Sequence, residues 1–128
     1  MANQFTVSAP IILPLRTTWQ ETWVFLTDVG GPPVDLTGYS ARMHVRDPET
    51  NALVMELSTD NQRLAIPAPM SGTIHLEVSA SDVLSMSAAN TRRKLRFDAE
   101  VYLPGPPEYV VPLFIGAIVL TPRWTQLT

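Results

Sequence analysis

Two histidines, His44 and His75, an Asp98-x-Glu100 pair and a run of cations at Arg92-Arg93-Lys94 are the side chains of this sequence with chemistry to offer. Two imidazoles without a placed carboxylate fall short of a zinc set, which needs at least three protein ligands and their supporting hydrogen bonds. Both fall at polar positions of two different predicted strands, where solvated histidine is the expectation. Cysteine is absent altogether, which removes thiolate ligands, a disulfide framework and a cysteine nucleophile. No serine sits in a glycine-flanked elbow of the hydrolase kind. Gly30-Gly31 is followed by Pro32 and Pro33, which lack the backbone N–H groups that a phosphate cradle requires. Asp98 and Glu100 share one face of a predicted strand beside Arg96, and cross-strand ion pairs with Arg42 or Arg46 account for them more simply than a glycosidase pair does. The expectation is a protein that is not an enzyme and carries no cofactor and no metal.

Nine basic and twelve acidic residues leave a net charge of −3, the wrong sign for a nucleic-acid footprint, so no nucleic-acid partner is expected. Arg92-Arg93-Lys94 follows a predicted short helix, where cations complement the negative end of the helix dipole. No membrane is expected either, because the longest apolar run, 109–120, is short and is broken by Pro112 and Gly116. The first basic residue is Arg16, and no charged start followed by an apolar stretch marks a targeting segment. Charged residues make up only 16% against 45% hydrophobic, a balance that suggests partners covering part of the surface.

The elements that position these residues are read from a period of two, since successive side chains of a strand point to opposite faces. Tyr39, Ala41, Met43 and Val45 interleave with Ser40, Arg42, His44 and Arg46. After the turn 47–51, Leu53, Met55 and Leu57 alternate with Val54, Glu56 and Ser58 as the hairpin partner. Beyond Gly72, Ile74, Leu76 and Val78 point inward. Residues 81–86 then change period and predict a short helix capped by Ser79 or Ser81, crossing between sheets. Leu95, Phe97, Ala99, Val101 and Leu103 form a long half-buried strand, and Pro104-Gly105-Pro106-Pro107 turns it into 109–120. That last strand is apolar on both faces, which predicts a central position or contact with a partner. With a strand at Trp19–Thr27, seven or eight strands at sandwich spacing predict an all-β, two-layer antiparallel fold.

Residues 1–18 carry Ile11, Ile12, Leu13 and Leu15 between Pro10 and Pro14. They read either as an edge strand or as an extended arm lying on a neighbouring subunit. The body is 19–122, and 123–128 is a C-terminal tail. Trp19, Trp23 and Phe25 share a strand face; Trp23 and Phe25 read as core, whereas Trp19 and Trp124 read as anchors for a partner. The candidate interface residues are Ile11, Ile12, Leu13, Leu15, Trp19, Phe114, Ile118 and Trp124.

The stretches 23–28, 31–46 with Asp35-Leu36-Thr37-Gly38 at their centre, 56–59, 72–79, Phe97-Asp98-Ala99-Glu100-Val101 and 116–122 together resemble a family of immunoglobulin-like tailed-bacteriophage virion proteins. Its members include the N-terminal domain of upper baseplate proteins of lactococcal phages and short stand-alone proteins of phage tail regions. The chain departs from the family pattern in having Pro14-Leu15-Arg16-Thr17-Thr18 where a charged, glycine-containing start is usual. The resemblance implies an immunoglobulin-like sandwich and a structural role in the virion, made in the host cytoplasm. It implies docking in the tail, baseplate or fibre-attachment region, with other virion proteins and copies of itself as partners in a symmetric assembly. A capsid decoration or head–tail collar protein is the neighbouring alternative. A carbohydrate-binding or cell-surface module is the more distant one, and would need an exposed aromatic platform.

Overall fold

The structure, a computed structural model, describes residues 5–6, 10–27, 30–87 and 91–122. Along the chain its strands are β1 (Phe5–Thr6), β2 (Ile11–Pro14), β3 (Trp19–Val24), β4 (Ser40–Arg46), β5 (Leu53–Ser58), β6 (Leu64–Ala68), β7 (Thr73–Val78), β8 (Arg93–Leu103) and β9 (Tyr109–Thr121). A 3₁₀ turn (Pro69–Ser71) joins β6 to β7, and the helix α1 (Ala80–Ser85) joins β7 to β8. The strands form where apolar and polar residues alternate: Ala41, Met43 and Val45 of β4 are buried between half-exposed neighbours, and Leu95, Phe97, Ala99 and Val101 of β8 repeat the pattern. Taken as two pieces of one broken edge strand, β1 and β2 bring the number of strands among the described residues to eight.

The large sheet runs β9-β8-β4-β5 with β1 and β2 on the outer edge of β9, and the small sheet runs β3-β7-β6. These are the orders of the G-F-C-C′ and B-E-D strands of an immunoglobulin sandwich, and the fold is therefore all-β and immunoglobulin-like. The helix α1 crosses from the small sheet to the large one, as the change of period predicts. Ser79 is its N-cap, its hydroxyl accepting from the Asp82 N–H at 3.2 Å. Past its end, the Arg93 guanidinium donates to the Met86 carbonyl at 2.6 Å, satisfying an acceptor that a helix terminus leaves over.

Three features depart from the sequence reading. First, Ile11–Pro14 pairs with Ile118–Thr121 in parallel, so the sheet is not wholly antiparallel, and the Leu15 N–H continues the ladder to the Thr121 carbonyl at 3.0 Å. This pairing gives β9 a central position, with strands on both of its edges. Second, β3 ends at Val24, and Leu26 reaches only a single bridge to Pro33. Third, the register of β4 against β5 shifts beyond Val45, so Leu53 pairs with Arg46 and is half exposed while Val54 packs on the core. A second shift, beside Ala99, leaves Leu113 unopposed next to Pro112, which has no N–H to give the ladder.

One contiguous core fills the space between the sheets, built from inward residues of both. Phe114 of β9 is its aromatic centre, with Trp23 edge-on at 4.9 Å, Phe97 edge-on at 5.7 Å and Phe25 stacked at 6.0 Å. Gly72 closes the 3₁₀ turn at φ +64°, and a Cβ there would lie 2.5 Å from the Phe25 carbonyl oxygen, so only glycine lets the two backbones approach.

Candidate interaction face

Several of the residues expected to meet partners are spent on the chain's own interior. Leu13, Leu15, Trp19, Phe114 and Ile118 are at most 6% exposed: β2 and the residue after it turn Leu13 and Leu15 inward, β9 turns Phe114 and Ile118 inward, and Trp19 enters the core from β3 of the small sheet. Trp19, with its indole N–H donating to Glu21 Oε2 at 3.3 Å, is a core residue and offers no aromatic platform. Ile11 is half-buried against the same core, and Ile12 alone of the set described is exposed, at 59%. Trp124 lies outside the described residues. Of the two readings of residues 1–18, edge strand or arm, the described stretch Ile11–Pro14 takes the first, lying beside β9 of its own sandwich.

The side chains with chemistry lie on the outer faces of the sheets. His44 and His75 belong to different sheets, β4 of the large and β7 of the small, so they do not form a pair. His44 is placed between carboxylates, with Nε2 3.3 Å from Glu56 and Nδ1 4.0 Å from Asp98, while His75 Nδ1 bonds the Thr22 hydroxyl at 3.0 Å. Arg42 does make the cross-strand pair expected with Glu100 and also reaches Glu108 at 2.8 Å, its guanidinium lying 4.2 Å over the Tyr102 ring. The hydrogen bond that Arg42 donates to Glu108, followed by its contacts with Glu100, raises its already high pKa further, so the group is permanently charged. Glu108, at the end of the Pro104–Pro107 turn, carries no alternation signal, and its role emerges only when the turn folds back on β4.

On the outer face of the large sheet the residues form columns, one per strand. The β8 column reads Lys94, Arg96, Asp98, Glu100, two cations followed by two carboxylates. Its neighbour on β4 reads Arg46, His44, Arg42 in the same direction, and Arg46 and Arg96 are paired across the strands. Both of those arginines donate to Asn51, and among the described residues neither has a carboxylate within ion-pair distance. The β9 column is apolar: Val119, Ala117 and Ile115, then Pro112 and Val110 beyond the register shift, with Ile12 of β2 opposite Val119. An open hollow of about 360 Å³ lies over the backbone of the Phe97–Gly116 pair, between Ile115 and Ala117 on one side and His44, Arg46, Arg96 and Asp98 on the other. The outer face is thus graded in two directions, apolar to charged from β9 to β8 and basic to acidic along β8.

A second hollow, about 540 Å³ and polar, lies over the small sheet near Gln62, His75, Glu77 and Asp82. Its charged groups are already engaged, Asp82 with Arg63 at 3.1 Å and Glu77 with Gln20 at 3.3 Å and His75 at 3.7 Å.

Asp35-Leu36-Thr37-Gly38, the short motif at the centre of the resemblance, is a local backbone device. Asp35 Oδ1 accepts from the Thr37 hydroxyl at 2.6 Å and the Thr37 N–H at 3.0 Å, which holds its carboxyl below the usual range, and Gly38 takes φ +84° to enter β4.

No family model matches the chain, and no curated protein matches it. Among solved structures it is similar to the crystal structure of the periplasmic chaperone SfaE, at 12% identity and a TM-score of 0.41, covering 93% of this chain and 56% of that one. The chain therefore spans a little over half the length of that protein.

Proposed function

We propose that this chain is a structural protein of a tailed-bacteriophage virion, a docking module of the tail, baseplate or fibre-attachment region. The observation that supports the reading is the apolar column of β9, which leaves Ile115, Pro112 and Val110 exposed on the same sheet face as Ile12 of β2. A face of this kind is the surface an assembly module presents to a fixed neighbour, and the chain's low charge content agrees with it. The immunoglobulin-like sandwich accords with the family resemblance carried by Asp35–Gly38 and the strands around it.

The test is mass spectrometry of purified particles with tail and head fractions separated. The chain is expected in the tail fraction in a fixed ratio to its neighbours. Its presence in head fractions alone would favour a capsid decoration or collar protein, and its absence from particles would overturn the reading.

A further inference from the structure

We propose that the outer face of the large sheet pairs with the same face of a second copy, about a two-fold axis that crosses the strands at right angles beside Phe97 and Gly116. This deepens the docking reading of that face and rests on it.

The two gradients of the face select the axis. Two sheets stacked face to face can be related by a two-fold lying between them, either along the strands or across them. An axis along the strands sets the basic end over the basic end and exchanges the apolar column with the polar far side, so both gradients oppose it. An axis across the strands keeps each column over its own copy and reverses its direction. Apolar β9 then covers apolar β9, and the β8 column Lys94, Arg96, Asp98, Glu100 meets itself reversed. Arg96 of one copy faces Asp98 of the other, and Lys94 faces Glu100, which also holds Arg42 of its own chain. Contacts of this kind are self-complementary, as an isologous interface requires.

Shape agrees with charge. Phe97 and Gly116 are opposite one another in the ladder, so the axis passes over the hollow that has their backbone as its floor. Reversal about it places the exposed Ile115 of each copy over Ala117 of the other, a large side chain against a small one. Stacked sheets cross at about 30° because each is twisted, which concentrates the contact near the axis where these residues lie.

The experiment is sedimentation equilibrium of the full chain and of two charge variants. One, Asp98→Lys with Glu100→Lys, makes the β8 column basic throughout; the other, Lys94→Glu with Arg96→Glu, makes it acidic throughout. All four positions lie on the outer face, and circular dichroism confirms that each variant keeps its strand signal. The unaltered chain is expected to dimerise, more weakly as salt is raised. Each variant alone should associate about tenfold more weakly or worse, and an equimolar mixture of the two should restore a heterodimer. A wild-type chain that stays monomeric at about 100 μM, or variants that dimerise as well as wild type, would overturn the proposal. Such a result leaves the virion role to be judged by particle composition, which does not depend on self-pairing.

Discussion

The indole of Trp23 meets the ring of Phe114 edge-on, with centroids 4.9 Å apart and planes at 65°. One ring comes from the small sheet and the other from the large, so this contact ties the two layers together at the centre of the core. Removing the shared partner should therefore cost more than an ordinary apolar truncation. Phe114→Ala is expected to lose about 3–5 kcal/mol of unfolding free energy, read from the urea midpoint at unchanged slope. A loss under about 1 kcal/mol would show that the sheets are held elsewhere.

The edge strand β2 supplies the second expectation. Leu15 is fully buried and Ile12, three residues earlier, is exposed. Leu15→Ala should destabilise by about 2–5 kcal/mol, whereas Ile12→Ala should stay within about 0.5 kcal/mol. If the two were equal in chemical denaturation, residues 11–15 would not be part of the sandwich.

Glycine at two positive-φ sites separates backbone strain from backbone collision. At Gly38 a Cβ meets only Leu103 Cδ2 at 3.8 Å, so Gly38→Ala should cost about 1 kcal/mol from φ alone. At Gly72 the same atom would lie 2.5 Å from the Phe25 carbonyl, and Gly72→Ala should exceed that cost by at least about 2 kcal/mol in thermal unfolding. Equal losses would mean that the 3₁₀ turn can move away from β3.

Asp47 makes the turn between β4 and β5 sensitive to acid. Its carboxylate accepts from the Glu49 and Thr50 N–H groups at 2.8 and 3.1 Å and then from Arg93, and these bonds lower its pKa from 3.8. A depressed carboxyl stabilises the fold above its unfolded pKa, and that contribution fades as pH falls through the folded value. The stability difference between wild type and Asp47→Asn should thus be present near neutral pH and shrink below about pH 4. A difference that stays constant across this range in thermal melts would show that the charge on Asp47 is idle.

By itself the sequence determined which residues alternate, where strands must stop and which face of each strand is apolar. The side chain's direction is settled by the neighbouring peptide units, and glycine and proline act through their own φ. Hence the strand at 40–46, the capped helix after Ser79 and the turn at Asp47–Asn51 were legible, as was the Arg42–Glu100 pair, because both partners lie on outward positions of adjacent strands. Only the tertiary structure decided what each apolar face lies against. Leu13, Leu15, Trp19, Phe114 and Ile118 are apolar whether they meet a neighbouring subunit or their own second sheet, and they face inward because the two sheets stack, with β2 held in place by pairing with β9 across more than a hundred residues. The graded outer face was equally hidden, since a column order depends on which strands are neighbours, and adjacency between distant segments is fixed by burial summed over the whole sandwich and by no local residue pattern.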